Sequence, residues 1–124
     1  MERSITLRIF EIVGSEFCVA ADDGQKVFDQ IKLALDKGLN VQLSFLNVER
    51  LTSAFLNVAI GQLYGKYPTD LLRSHLSVSD ISEDDLVLMK RVTDTAKQYF
   101  KDPERFNKTR RAVLGEEKNV GEQY

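Results

Sequence analysis

Hydrophobic residues recur at two different spacings, and the spacing changes several times along the chain. In residues 3–13 the apolar side chains of Ile5, Leu7 and Ile9 alternate with polar ones, which is the period of a half-buried strand. A Gly-Ser turn signal and a second short apolar stretch over residues 16–20 follow. Together these two stretches predict a β-hairpin at the start of the chain.

The next stretch changes to a helical spacing. Residues 23–37 carry apolar side chains three and four positions apart, which predicts the first amphipathic helix. Asp22 and Gln25 have the spacing of a capping box, and Gly38 is a typical C-terminal stop. The strongly apolar run of residues 40–48 then predicts a central strand.

Three further elements complete the predicted order. Residues 52–64 predict a second helix, residues 70–79 a strand, and residues 82–100 a third helix that begins with a capping box. The order β-β-α-β-α-β-α favours an α/β fold, in which helices pack on a mixed β-sheet. A short fourth helix or a tail comes last. Residues 1–102 are therefore expected to form one domain, and residues 103–124 a C-terminal extension.

The predicted second helix is unusual because it has no charged side chain between Arg50 and Lys66. One of its sides is broadly apolar and is expected to face the sheet. The other side is small or uncharged and includes a glycine in mid-helix, which costs about 1 kcal/mol relative to alanine. Its residues are Ser53, Ala54, Asn57, Gly61 and Tyr64. Such a surface suits close approach by a partner protein, a second copy of the chain, or the chain's own C-terminal helix.

Thr52 and Ser53 lie at the start of this helix, where free backbone N–H groups point outward. Their simplest role is N-capping. Their hydroxyl groups are also candidate phosphoacceptors, because the helix dipole tolerates the charge of about -1.5 to -2 that a phosphate adds there. A phosphate on Thr52 or Ser53 would repel or recruit a partner docked on the neighbouring helix surface.

The strand VQLSFLNV and the following helix LTSAFLNVAIGQL resemble the core of STAS domains, in particular a STAS-like group of bacterial and phage-associated proteins. In that group a hydroxyl-rich turn is followed by a phenylalanine, a polar residue and a glycine. The matching positions in this chain are Ser53, Phe55, Asn57 and Gly61. The resemblance covers most of residues 3–100, and it implies a single STAS-like domain.

STAS domains include anti-sigma-factor antagonists, in which the helix start reads Asp-Ser-Ser-Gly and a GHKL-type kinase phosphorylates the second serine. By offset, that serine falls on Ala54 in this chain, and the Asp and Gly positions fall on Thr52 and Phe55. The resemblance implies a non-enzymatic regulatory adaptor that docks a partner protein, such as a GHKL-type ATPase or kinase. The predicted partner-binding residues are Thr52, Ser53, Asn57, Gly61 and Tyr64.

Composition limits the alternatives. A net charge of -2 and a pI near 5.4 disfavour a general binder of nucleic acid or anionic membranes. A homodimer through the same helix surface is the first alternative to partner docking. Nucleic-acid binding through the basic residues 105–111 is a second, disfavoured one.

No motif of an enzyme active site is present in the sequence, so neither catalysis nor a cofactor is expected. The single cysteine, Cys18, and the single histidine, His75, make a metal site built from Cys and His improbable. The N-terminus lacks the apolar stretch of a signal peptide, and no run approaches the roughly 20 apolar residues of a membrane span. A cytoplasmic location is therefore expected.

Overall fold

Five α-helices, one 3-10 helix and five β-strands form within residues 3–101, the part of the chain that this computed structural model describes. The strands are β1 (Ser4–Arg8), β2 (Phe17–Cys18), β3 (Asn40–Ser44), β4 (Arg50–Leu51) and β5 (Leu76–Ser79). The α-helices are α1 (Ile9–Val13), α2 (Ala21–Asp36), α3 (Ser53–Ala59), α4 (Thr69–His75) and α5 (Glu83–Lys101). The 3-10 helix (Gly61–Gly65) follows α3. The predicted α/β fold class is confirmed.

The strands form two separate sheets. β1, β3 and β5 make a three-stranded sheet in the order β1-β3-β5, and β2 and β4 make a short pair. Leu43 and Val78 are neighbours on the face of the larger sheet that packs against the core. Thr6, Gln42 and Ser77 are neighbours on the opposite face and are exposed. Every strand pair described is parallel, so the sheet is not the mixed one expected.

The hydrophobic core lies between the larger sheet and the helices. Its fully buried side chains include Ile31, Leu43, Phe55 and Leu56. The helices α2 and α3 lie against each other, while α5 packs on α3 and on the 3-10 helix. The helix α3 therefore lies between two long helices, α2 and α5.

The predicted hairpin is wrong. Residues 3–13 do not form one strand, because β1 ends at Arg8 and α1 follows at once. This short helix ends at Gly14, whose φ of 80° lies in the left-handed region. β2 does not return along β1 but pairs in parallel with β4, so that Phe17 lies opposite Arg50. The chain reaches β2 through a helical turn rather than a tight hairpin turn.

Two other predicted elements are divided in the structure. The predicted second helix is interrupted at Ile60, which has a φ of -121°, and it continues as the 3-10 helix. The predicted strand of residues 70–79 begins as the helix α4 and becomes strand β5 only at Leu76. The predicted strand of residues 40–48 is present and central but ends at Ser44.

The two longest helices, α2 and α5, were both predicted, and both are confirmed. Of the two predicted N-terminal caps, only the one of α5 is confirmed. The hydroxyl oxygen of Ser82 accepts a hydrogen bond from the Asp85 N–H at 3.2 Å, at the start of α5. The N-cap of α2 is Ala20, which has no side-chain hydrogen bond to the helix. Gln25 instead donates to the Asp29 carboxylate at 2.9 Å. The capping box predicted for α2 is therefore wrong.

Candidate partner-binding site

Thr52 joins the start of α3 to the small sheet. Its hydroxyl oxygen accepts a hydrogen bond from the Phe55 N–H at 3.2 Å, so Thr52 is the N-cap of the helix. The same hydroxyl donates to the Val19 carbonyl oxygen at 2.9 Å. The Thr52 N–H also donates to the Cys18 carbonyl oxygen at 3.3 Å. The capping role expected for Thr52 is confirmed, and its hydroxyl proton is already used.

Ser53 and Ala54 form the open part of this helix start. Both side chains are exposed. Within residues 3–101 the Ser53 hydroxyl makes no hydrogen bond, unlike that of its neighbour Thr52. The backbone of Thr52 is held by β2, so Ser53 is presented on a fixed support.

Gly61 lies underneath α5 and not on an outer surface. It is buried, and a Cβ atom built on it would lie 3.8 Å from the Ala96 Cβ and 3.9 Å from the Val92 Cγ1. Both of those residues belong to α5 and are themselves buried. The expectation that Gly61 faces outward is therefore corrected. A partner would reach Gly61 only if α5 moved away.

Asn57 and Tyr64 also face α5 and are half-buried. Asn57 lines a small cavity of about 30 Å³ with Tyr99 and Phe100 among the other lining residues. This volume is large enough to hold a water molecule. The structure thus separates the five predicted residues into two groups. Thr52, which is half-buried, and Ser53, which is exposed, form the start of α3, whereas Asn57, Gly61 and Tyr64 line the contact between α3, the 3-10 helix and α5.

The contact at Tyr64 has an electrostatic part. The Lys97 ammonium lies 5.8 Å from the centroid of the Tyr64 ring, a distance at which a cation is attracted to the ring face. Burial raises the pKa of Tyr64, and the nearby Asp94 carboxylate raises this pKa further. Tyr64 therefore keeps its phenol proton at neutral pH and serves as a packing residue for α5.

Exposed apolar side chains flank the helix start. Phe17 and Val19 are 49% and 37% exposed, whereas Cys18 between them is fully buried. Burial raises the pKa of the Cys18 thiol to about 11, with a smaller contribution from the Asp23 carboxylate. Cys18 is thus an unreactive core residue. Val19 is joined to the helix start through the hydrogen bond from Thr52, and Phe17 lies two residues before it, opposite Arg50.

A second concave surface lies beside α5, and Tyr64 is among its lining residues. The groove between α4, β5 and α5 has a volume of about 590 Å³. Its floor is apolar, and Arg73, Lys90 and Lys97 lie among its polar lining residues. Arg73 and Lys90 form ion pairs with Asp70 and Asp94, at 3.3 and 3.2 Å respectively. The cations of the groove are therefore largely balanced by neighbouring carboxylates.

No group of three or more His, Cys, Asp or Glu side chains within residues 3–101 is placed to hold a metal ion. His75 ends α4 instead of lying on a strand, and its Nδ1 atom is 2.8 Å from the Ser74 hydroxyl and 3.1 Å from the Leu71 carbonyl oxygen. In the same part of the chain, no helix combines the length and the apolar character that a membrane crossing needs.

Sequence reasoning missed one part of the site. The sequence pattern places Phe17 and Val19 in a hairpin, which does not predict their exposure beside the second helix. The sequence does indicate that Phe17 and Val19 share one face of a strand, because they alternate with Cys18, a residue type that is often buried. It does not indicate that this strand lies beside α3, because that position depends on the long-range pairing of β2 with β4. The basic stretch of residues 105–111, and with it the nucleic-acid alternative, lies outside the described residues.

Comparison with known families identifies the domain. The model of a family described as "STAS-like domain of unknown function (DUF4325)" matches residues 23–86, slightly more than half of the chain. The match begins in α2 and ends in α5, so it includes β3, α3 and the candidate site. No curated protein and no solved structure matches the chain.

Proposed function

This chain belongs to the family of STAS-like domains of unknown function, and we propose that it is a non-enzymatic regulatory adaptor. It docks a partner protein through the start of α3 and the adjoining strand β2. The docking surface consists of Phe17, Val19, Thr52, Ser53 and Ala54. The partner is a protein such as a GHKL-type ATPase or kinase, by resemblance to the anti-sigma-factor antagonists.

One observation supports this choice of surface above the others. Two exposed apolar side chains, Phe17 and Val19, lie beside an uncharged helix start that carries the exposed Ser53. The hydrogen bonds from Thr52 to Val19 and Cys18 fix these two segments relative to each other. A rigid surface with apolar contacts and a few polar groups is typical of protein docking sites.

The exposure of the two hydroxyl groups favours Ser53 over Thr52 as a phosphoacceptor. Phosphorylation of Thr52 would remove the hydroxyl proton donated to the Val19 carbonyl, and would place a dianion beside that oxygen. Ser53 has no such bond within the described residues, and its side chain is exposed. A phosphate on Ser53 would add about -1.5 to -2 charges to a surface without acidic neighbours in the first turn of α3. The added charge would change partner affinity without unfolding the helix.

The test uses Ala54→Arg in the middle of the docking surface. Alanine and arginine both have high helix propensity, and Ala54 is exposed, so the variant keeps the fold. Leu33→Arg is the matched control, because Leu33 is 55% exposed on α2 and lies outside the docking surface. Tagged wild type and both variants are incubated with native cell extract, with and without ATP, and retained proteins are identified by mass spectrometry.

We expect a GHKL-type ATPase to be retained by the wild type and by Leu33→Arg and to be lost with Ala54→Arg. The purified pair is then titrated by calorimetry with the wild type, Ser53→Ala and Ser53→Asp. A phosphoacceptor at Ser53 predicts unchanged binding by Ser53→Ala and a loss of about tenfold, or about 1.4 kcal/mol, for Ser53→Asp. Retention of the same proteins by Ala54→Arg and by the wild type would exclude this docking surface.

A further inference from the structure

The outer edge of β1 is open in the described part of the chain. β1 occupies one end of the β1-β3-β5 order, and within residues 3–101 its hydrogen-bonded neighbour is β3 alone. Four of its five residues are exposed. Ile5 is 38% exposed although it lies on the face of the sheet that packs against the core. An edge strand of this kind presents a row of backbone groups to another strand.

The hydrogen bonds to β3 determine which backbone groups point outward. The Asn40 N–H donates to the Arg3 carbonyl oxygen at 2.8 Å. Alternate residues of a parallel strand bond to the same neighbour, so Ile5 and Leu7 also direct their backbone groups toward β3. The backbone groups of Ser4, Thr6 and Arg8 consequently point toward the open edge.

Natural edge strands are usually protected against pairing by lysine, proline, a bulge or a covering element. The sequence of β1 is SITLR, which contains neither lysine nor proline. Its one charge, on Arg8, lies at the end of the strand and pairs with Glu11 at 3.5 Å. The middle of the strand is therefore uncharged and regular. β5, at the other end of the sheet, differs because Leu76 and Val78 are half-buried and line the groove beside α5.

We propose that β1 pairs with β1 of a second copy of this chain in an antiparallel register centred on Thr6, which joins the two three-stranded sheets into one continuous sheet. A two-fold axis at Thr6 is the register that pairs the whole of Ser4–Arg8 with itself. Each Thr6 then exchanges both outward backbone hydrogen bonds with Thr6 of the second copy. Each Arg8 N–H donates to the Ser4 carbonyl oxygen of the second copy.

The side chains in this register are self-complementary. Ile5 lies opposite Leu7 of the second copy, and these are pairs without backbone hydrogen bonds, in which side chains approach most closely. The exposed part of Ile5 is thereby covered by an apolar neighbour. Thr6 lies opposite Thr6, a pair that stabilises sheets. Arg8 lies opposite Ser4, so no like charges face each other.

The expected dimer is weak. Two strands of five residues bury much less than the roughly 800 Å² per partner of a standard interface. We therefore expect the monomer to predominate in dilute solution and the dimer to form at high protein concentration. This inference concerns a surface remote in sequence from the start of α3, and it does not depend on the proposed function.

Disulfide trapping tests the register directly. The Cα atoms of a hydrogen-bonded antiparallel pair lie about 5.5 Å apart, within the range that a disulfide spans. Thr6→Cys should therefore form a cross-linked dimer under mild oxidation. Gln42→Cys is the matched control, because Gln42 is exposed on the same face of the sheet but belongs to the central strand. The buried Cys18 is not expected to react in either variant.

Cysteines paired in the dimer experience a millimolar effective concentration. At a protein concentration of about 0.1 mM, with about half of the chains paired, we therefore expect Thr6→Cys to cross-link about fivefold faster than Gln42→Cys. Ser4→Cys and Arg8→Cys provide a second check. Each alone should remain uncross-linked, whereas a mixture of the two should form the mixed disulfide. Equal rates for Thr6→Cys and Gln42→Cys, or no mixed disulfide, would overturn the proposal.

Sedimentation equilibrium tests the chain without introduced cysteines. Thr6→Pro removes an outward N–H without removing a hydrogen bond to β3, and Thr6→Val keeps that N–H together with the β-branched shape. We expect the wild type and Thr6→Val to approach the dimer mass as concentration rises, while Thr6→Pro stays monomeric. Circular dichroism verifies that all three are folded. A wild type that stays monomeric throughout, or a Thr6→Pro that dimerises equally well, contradicts β1 pairing.

Discussion

Gly24 and Gly61 both lie where one helix packs on another, but the space around the two residues differs. A Cβ atom on Gly24 would lie 2.6 Å from the backbone oxygen of Phe55 and 3.1 Å from the Val58 Cβ. The nearest neighbours of a Cβ on Gly61 would lie at 3.8 Å, an ordinary van der Waals distance. Glycine at position 24 is therefore required for the approach of α2 to α3, whereas glycine at position 61 is not.

We predict opposite effects for the two alanine substitutions. Gly24→Ala should lower the free energy of unfolding by about 1–3 kcal/mol, since a backbone atom cannot yield to the new methyl group. Gly61→Ala should leave stability unchanged or raise it by up to about 1 kcal/mol, because alanine restricts the unfolded chain and favours helical backbone. Urea denaturation of the two variants and the wild type measures both effects.

Because Gly61 packs against α5, a large substitution at this position is unsuitable for testing partner binding. Gly61→Arg would place a long charged side chain against the Ala96 and Val92 side chains of α5, so it disrupts packing before it can affect a partner. A loss of binding by this variant would report on folding. Ala54→Arg avoids the problem because Ala54 is exposed. For the Gly24 prediction, a Gly24→Ala variant as stable as the wild type would show that the packing of α2 on α3 does not require glycine at position 24.

The start of α3 depends on one hydroxyl group. Thr52 satisfies a free N–H of the helix through Phe55 and holds β2 through the Val19 carbonyl oxygen. An exposed N-cap contributes about 1 kcal/mol, and a net hydrogen bond contributes a similar amount. The local arrangement of the proposed docking surface therefore rests on Thr52 more than on Ser53.

We expect Thr52→Ala to lower the free energy of unfolding by about 1–2 kcal/mol. Thr52→Ser keeps the hydroxyl and should remain within about 0.5 kcal/mol of the wild type. Ser53→Ala is the control for position, because substitutions of exposed residues usually change stability by less than about 0.5 kcal/mol. Chemical denaturation followed by circular dichroism distinguishes the three variants. Equal free energies of unfolding for Thr52→Ala and Ser53→Ala would show that the Thr52 cap does not contribute measurably to stability.

At the scale of elements, long helices were predictable and short pairings were not. α2 and α5 each carry an apolar stripe over several turns, so their periodicity is unambiguous. In contrast, residues 70–79 contain apolar side chains that fit a short helix and a strand about equally well, and the structure uses both in succession. The pairing of Phe17 with Arg50 joins residues far apart in sequence, which no local pattern specifies.

The candidate site was predictable to the same extent. The start of the second helix, with Thr52 as its cap, follows from local rules that a sequence contains. What contacts the opposite helix surface does not follow from local rules, because a small uncharged stripe suits a partner, a second copy or the chain's own C-terminal helix. In the structure α5 covers part of this stripe, with Ala96 and Val92 against Gly61, whereas Ser53 and Ala54 remain exposed. The sequence does not specify that α5 contacts Gly61, because this contact depends on the three-dimensional path of α5. The predicted C-terminal helix lies outside the described residues.

For the whole molecule, the structure separates two surfaces that can act independently. The start of α3 is joined to β2 by the hydrogen bonds of Thr52, whereas the β1 edge lies at the end of the larger sheet. Pairing through β1 would give a dimer with two copies of the helix start. Such a dimer would bind a two-fold symmetric partner more tightly than the monomer does, because the second contact becomes intramolecular.

The stability of the whole molecule should fall in alkaline solution. Burial raises the pKa of Cys18 from 9.0 to about 11. Burial, together with a hydrogen bond to the Asp36 carboxylate, raises that of Tyr67 from 10.0 to about 12. For each group, once the pH rises above the ordinary pKa, the group in the unfolded chain releases its proton while the same group in the folded chain retains it. The unfolded state then binds fewer protons, so the free energy of unfolding decreases with pH.

For Cys18 this loss begins near its ordinary pKa of 9.0 and ends near 11, with a slope of at most about 1.4 kcal/mol per pH unit. Tyr67 is more accessible to solvent, and its smaller loss begins near 10.0. Urea midpoints measured across this range should fall in the wild type. Cys18→Ala should lower stability at neutral pH but remove the first part of the decline, and Tyr67→Phe should remove the second. A decline unchanged in both variants would assign the alkaline loss to other groups.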